Sequence, residues 1–278
     1  MTNPIADPLV EVPDTDVTSG LVRLDTTPEG VALVTLNRPA RKNAFDAELI
    51  GALHEVFETL QAAEGVRVVF VRGAGGTFSA GADLDWMRAA VDYSEADNRD
   101  DAHQMARMLK SLWDIPALTV ALIEGGAFGG GAGLAAACDL AVATADATFT
   151  FSEVKLGLVP GTISPYVVAA IGPRAARGLF ATGRVFDAAY AEKIGLVTEV
   201  VADFAGIEAA MARISTEMLA CGPGAVAESK RLVDAVAWRQ VDEVMDESSR
   251  RIAAARVSPE GREGVMAFLE KRKPDWAR

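Results

Sequence analysis

Three short segments carry the residues that could do chemistry. The first is Phe78-Ser79-Ala80-Gly81-Ala82-Asp83-Leu84, the second Gly129-Gly130-Gly131-Ala132-Gly133, and the third Ser152-Glu153-Val154. Each of the first two follows an apolar run that reads as a strand, Val68–Val71 and Leu118–Ile123. A glycine-rich turn between a strand and a helix leaves backbone N–H groups uncovered and unpaired. Two such turns side by side can aim two N–H groups at one oxygen, as stabilisation of an enolate requires. Losing one such donor typically costs about 3–4 kcal/mol of barrier. Glu153 follows Thr148-Phe149-Thr150-Phe151 and precedes Leu156 and Val159. Half-burial among such residues raises a carboxyl pKa into the range useful for proton transfer. A lone Glu after a strand is otherwise a solvated or capping residue, and glycine clusters otherwise serve close packing.

Taken in order, these segments resemble the crotonase, or enoyl-CoA hydratase/isomerase, superfamily. The resemblance runs from about Val22 to Trp276. It includes Leu36-Asn37-Arg38-Pro39 with Asn43-Ala44, then Leu156 to Gly161, Gly183 to Ala188, Gly195-Leu196-Val197 and the ending from Glu263 to Lys273. It implies an α/β fold with a ββα spiral core and a C-terminal helical trimerisation lobe. It assigns the two oxyanion donors to the N–H groups of Ala80 and Gly130, and proton transfer next to the thioester to Glu153. Coenzyme A enters only as part of the substrate, so the resemblance implies no metal or redox cofactor.

One position departs from the pattern. Well-known hydratases of the family carry a second glutamate where this chain has Gly133. The string Ser152 to Pro160 with Ile163-Ser164-Pro165-Tyr166 resembles bacterial hydratases of the methylglutaconyl-CoA and isohexenylglutaconyl-CoA type, where glycine also occurs there. That resemblance implies hydration of a branched 2-enoyl-CoA with Glu153 acting alone. A Δ3/Δ2-enoyl-CoA isomerase needs only one shuttling carboxylate and is the alternative; an idle CoA-binding protein is a second.

The resemblance further places Arg41, Lys42 and Ala44 at the CoA nucleotide, with Arg41 and Lys42 read equally as solvated loop charges. Ser79 and the backbone of Ala82, Asp83 and Leu84 would line the pantetheine path, Asp83 also reading as a helix cap. Phe268 and Lys271, three apart on an expected helix, would share one face and reach the CoA of a neighbouring subunit. Trp86 and Met87 read equally as acyl-pocket lining or as core. His54 reads as a surface or interface residue, and His103 lies in a segment that could wall the acyl pocket.

The elements that must position these groups alternate along the chain. Strands are expected at Val31–Leu36, Val66–Arg72, Leu118–Ile123, Leu140–Ala143 and Thr148–Phe151. Asp46 can cap a helix whose apolar face is Leu49, Ile50, Leu53, Val56, Phe57 and Leu60. Helical stretches are expected within Leu84–Asp114, and a short buried helix at Gly131–Ala137. After about Ala202 only helices follow, at 207–220, 225–237, 241–255 and 259–271. This divides the chain into an acidic, disordered leader over 1–20, a spiral core over 21–203 and a helical lobe over 204–278. The lobe's apolar surface predicts a homotrimer or a dimer of trimers.

Composition excludes other classes. The chain has 278 residues, half of them apolar, and a net charge of −12, which disfavours nucleic acid and anionic membranes as partners. It has no uninterrupted apolar run of about 18 residues, the length of a membrane span. Two histidines, His54 and His103, supply neither a histidine-rich metal site nor a Ser-His-Asp triad well. Cys138 and Cys221 are far apart, Cys138 in an apolar run, and imply no disulfide and a cytoplasmic setting.

Overall fold

The computed structural model describes residues 20–277, so the leader expected over 1–20 falls, apart from Gly20, outside the described residues. The main sheet has six strands in the order β1-β2-β3-β4-β6-β9. These are β1 (Val22–Thr26), β2 (Val31–Leu36), β3 (Val68–Gly73), β4 (Leu118–Ile123), β6 (Leu140–Thr144) and β9 (Glu199–Val201). Only the β1/β2 pair is antiparallel; the other neighbours run parallel. A second, three-stranded sheet joins β5 (Gly126–Phe128), β7 (Thr148–Thr150) and β8 (Phe186–Asp187). The mixed α/β architecture is the one expected.

The continuous apolar strands are explained by burial on both faces. In β3, Val69 and Val71 face the larger core, and Val68 and Phe70 face a second one. The larger core is closed by α1 (Ala47–Ala62), whose six expected apolar residues are all buried, and by α3 (Glu95–Trp113). Asp46 caps α1 by accepting the Leu49 N–H at 2.9 Å. The polar stretch over 84–114 is two helices: α2 (Leu84–Ala90), capped by Asp83, and α3, opened by a capping box between Ser94 and Asp97. His54 on α1 meets the Ser111 hydroxyl of α3 at 3.1 Å, while His103 is exposed. Cys138 is buried and Cys221 exposed, both as free thiols.

Further helices are α4 (Gly130–Ala136), α5 (Ser164–Thr182), α6 (Ala188–Ile194), α7 (Phe204–Leu219), α8 (Pro223–Val236), α9 (Val241–Val257) and α10 (Pro259–Leu269). α7 lays Ile207, Ala210 and Ile214 on the second face of the sheet. Lys230 fastens α8 to the core by donating to the carbonyls of Ile115 and Ala117, at 2.7 and 2.9 Å, and by an ion pair with Asp139 at 2.7 Å. Among the described residues no helix is long and apolar enough to cross a membrane.

The last helix ends earlier than the apolar spacing suggests. It stops at Leu269, and Lys271 takes a left-handed conformation with φ 52°. The Lys271 N–H donates to Phe268 O at 3.2 Å and the Arg272 N–H to Ala267 O at 3.0 Å, the pattern of a Schellman turn. Arg272 then pairs with Glu263. Phe268 and Lys271 are both exposed, but they do not share a helix face, because the chain has already reversed between them.

Candidate active site

The two small-residue turns lie against each other. Ser79 pairs with β5: its N–H donates to Gly126 O, and its carbonyl accepts from the Phe128 N–H, both at 3.0 Å. A Cβ on Gly81 would lie 2.8 Å from Phe128 O, and one on Gly131 would lie 2.7 Å from Ser79 O. The turns can therefore close only with hydrogen at both positions. Gly129 adds a backbone requirement, φ 49° with ψ −115°, outside the ordinary left-handed well, which glycine tolerates best.

The expected donor at Ala80 is not available. Its N–H already donates to the Lys42 carbonyl at 2.9 Å. The free donor of this turn is two residues on. Phe45 holds Gly81 O through its N–H at 2.7 Å, and Phe45 O accepts the Asp83 N–H at 2.8 Å. In this bridge the groups of Gly81 and Asp83 face Phe45, so those of Ala82 between them face away. The Ala82 N–H has no acceptor among the described residues. On the second turn Gly129 N–H is used by Thr150 O at 2.8 Å, and the Gly130 N–H, first in α4, is likewise without an acceptor. Phe45 and Met105 cover Gly130: a Cβ there would lie 3.2 Å from the Phe45 ring and 3.1 Å from Met105 Cε.

Glu153 opens a single helical turn after β7. Its Oε1 lies 3.2 Å from the point where a Cβ on Gly129 would sit. Its Oε2 is buried without a hydrogen-bond partner among the described residues. Burial pushes this carboxyl above its usual pKa, its own backbone N–H opposing only in part. The turn also exposes Val154, Leu156, Leu158 and Val159 beside the site.

Gly133, one turn along α4 from Gly129, is the position without the family's second carboxylate, and Ile163 has taken its space. A Cβ on Gly133 would lie 2.1 Å from Ile163 Cγ2 and 2.5 Å from Ile163 Cβ. Ile163 is buried at the start of α5. Sequence spacing gives no signal of this pairing, because the two residues are thirty positions apart in unrelated elements.

Several residues assigned to the CoA path also have structural roles. The Ser79 hydroxyl is buried, donates to Asn43 O at 2.7 Å and accepts the Gly81 N–H at 3.2 Å. Asp83 is buried, with Oδ1 capping α2 and Oδ2 paired with Arg38 at 2.8 Å. Burial raises its pKa, but the Asp85 and Trp86 N–H groups and Arg38 outweigh that and hold it below the usual value. Their side chains are therefore engaged within the protein. Ala44 is buried and its carbonyl accepts from Arg38. Leu84 is exposed, Arg41 is exposed in an ion pair with Asp85, and Lys42 is exposed without a side-chain partner among the described residues. Trp86 packs against the core, half-buried.

Comparison with known proteins agrees with this architecture. The family model described as Enoyl-CoA hydratase/isomerase matches residues 26–278. The solved structure of an enoyl-CoA hydratase from Shewanella pealeana is 37% identical, with a TM-score of 0.88, covering 92% of this chain and 96% of that one. Pseudomonas aeruginosa AtuE is 36% identical, with a TM-score of 0.89, covering 93% and 100%. Enoyl-CoA hydratase ACTT6 of Alternaria alternata is 32% identical over 241 residues, 86% of this chain and 78% of the relative.

Proposed function

The chain belongs to the enoyl-CoA hydratase/isomerase family, and from that premise we propose that it reversibly hydrates a 2-enoyl-CoA, with Glu153 as the sole proton carrier. As the water oxygen bonds to the β-carbon, Glu153 takes the water's proton. The π electrons move to the thioester oxygen, and the N–H groups of Ala82 and Gly130 hold the resulting enolate. Glu153 then returns the proton to the α-carbon. The steps balance without a metal or redox cofactor, because the thioester is the electron sink.

The observation that carries this reading is the placement of a buried, unpaired carboxylate oxygen beside two facing turns, each with one unused N–H. A branched acyl group is supported by the resemblance of the Ser152–Pro160 string and by the hydrocarbon of Ile163 at the second-carboxylate position. Isomerisation between 3- and 2-enoyl-CoA is the second reading. It is favoured by that same Ile163, since a water beside Glu153 loses the second polar partner an ordered water usually needs.

A homotrimer or dimer of trimers is part of the proposal. It is supported by exposed apolar residues on the last helices, among them Met245, Ile252, Val265, Phe268 and Leu269. Lys42 and Lys271, both exposed, are the cations proposed for the CoA phosphates, the latter from the neighbouring subunit. Two free thiols fit a cytoplasmic setting.

The test is a panel of straight, branched and carboxylated 2- and 3-enoyl-CoAs, followed by the conjugated thioester absorbance and by product mass. Loss of absorbance with a gain of one water supports hydration; its appearance from 3-enoyl-CoA without mass change supports isomerisation. Binding without turnover across the panel refutes both.

A further inference from the structure

The arginine of the Leu36-Asn37-Arg38-Pro39 segment is mostly buried, its side chain 19% exposed. Its guanidinium donates from Nη1 to Ala44 O at 2.9 Å and to Asp83 Oδ2 at 2.8 Å, and its Nη2 pairs with Asp46 Oδ2 at 2.7 Å. Its own N–H donates to Asn43 Oδ1 at 2.9 Å. Both carboxylates divide their oxygens in the same way. Asp46 caps α1 with Oδ1 and Asp83 caps α2 with Oδ1, leaving Oδ2 of each for Arg38.

These contacts bracket one peptide group. Ala44 precedes Phe45, whose N–H and carbonyl hold Gly81 and Asp83; Asp83 follows Ala82. Arg38 therefore grips the segment that orients Ala82 on one side and the residue that follows Ala82 on the other. We propose that Arg38 is a positioning residue, fixing the Ala82 N–H at the place where the enolate oxygen forms. The planar fork matters, since a lysine cannot span two carboxylates and a carbonyl in fixed directions. The inference rests on the reading of Ala82 as an oxyanion donor.

The test uses Arg38→Met, Arg38→Lys and Asp83→Asn in the full chain. Asp83→Asn keeps a cap acceptor but removes the charge that Arg38 holds. The probe is the CoA thioester of 4-(dimethylamino)cinnamic acid, whose absorption moves to longer wavelength when its thioester oxygen accepts strong hydrogen bonds. Arg38→Met should bind it but lose most of the red shift. Its kcat should fall about 10²-fold, the scale of an ångström-level misplacement, with KM moving less, because the proposed CoA cations Lys42 and Lys271 are not among its partners. Arg38→Lys should recover part of the shift, and Asp83→Asn should lose it as Arg38→Met does. A merely structural role would lower the melting temperature without moving the spectrum of bound probe. If Arg38→Met does not fold, the other two variants decide. Full red shift and kcat in Asp83→Asn and in whichever Arg38 variants fold would overturn the proposal. Wild-type protein that binds the probe with no shift would instead refute the donor pair itself, and this role with it.

Discussion

Adding one carbon at Gly133 should destabilise the protein, although alanine is the better helix former. The helical preference favours alanine by about 1 kcal/mol. Against it, the new Cβ would stand 2.1 Å from Ile163 Cγ2 and 2.5 Å from Ile163 Cβ. Restoring a separation of about 3.5 Å requires Ile163 to retreat by about 1.4 Å. It has little room, being buried at the point where α5 begins, and a clash with its Cβ is not relieved by rotating χ1. Overpacking of this kind costs about 1–3 kcal/mol. Because main chain must move with Ile163, the upper part of that range should apply, leaving Gly133→Ala less stable by about 1–2 kcal/mol net. Ile163→Ala alone leaves a cavity and costs about 2–5 kcal/mol. Combined, the two should still cost less than their sum, since Ile163→Ala removes the Cγ2 contact at 2.1 Å and leaves only the Cβ contact at 2.5 Å to be relieved. Urea unfolding of the four proteins at one fixed protein concentration measures this. Gly133→Ala as stable as the wild type, or a double mutant additive within about 0.5 kcal/mol, would refute the interlock. Gly133→Glu meets the same contact, so a gain in kcat with crotonyl-CoA would also count against it.

Glu153→Gln should keep CoA binding and lose about 10²- to 10⁴-fold in kcat, measured on whichever enoyl-CoA is turned over; retention of most activity would exclude a single-carboxylate mechanism. The acid limb of kcat/KM should lie above the ordinary glutamate range, because burial raises the Glu153 pKa and the base form is the active one. The same shift makes the native state hold its proton longer than the unfolded chain. Stability relative to Glu153→Gln should therefore fall as pH rises from the ordinary value through the raised one, as melting curves across that window would register. Truncation after Val257 removes α10 and should abolish both assembly, by light scattering, and CoA affinity. Lys271→Ala should raise KM more than it lowers kcat, and the KM of the wild type should rise with salt.

The sequence was most legible where a pattern is local. The apolar face of α1 follows from its own periodicity, and its start from Asp46. β3 and β4 stand out because burial on both faces makes their strands uniformly apolar. β1, β5, β8, β9, α5 and α6 left weaker traces. β5, β8 and β9 have two or three residues each, too few to show a period, and α5 contains Gly172 and Pro173 at a kink, which reads as two breakers in succession. Lys271 was misplaced because the turn that ends α10 uses a lysine where glycine is usual.

The site divides along the same line. Glu153 and the two turns are visible as residue types, but the identity of the first donor is not. Ala80 and Ala82 are both alanines in one turn, and side-chain identity cannot say which amide is free. That is decided by partners far away in sequence: Lys42 O consumes the first amide, whereas Phe45 grips both sides of the second and leaves it unpaired. The same holds at Gly133. Its lack of a side chain looks like a missing carboxylate and a gap, yet Ile163 fills the space, so the change is an exchange of a polar wall for an aliphatic one. A side chain at that position would have to displace Ile163. In the proposed mechanism the chemistry falls to Glu153, whose unpaired buried oxygen is the group that a substrate or its water would have to satisfy.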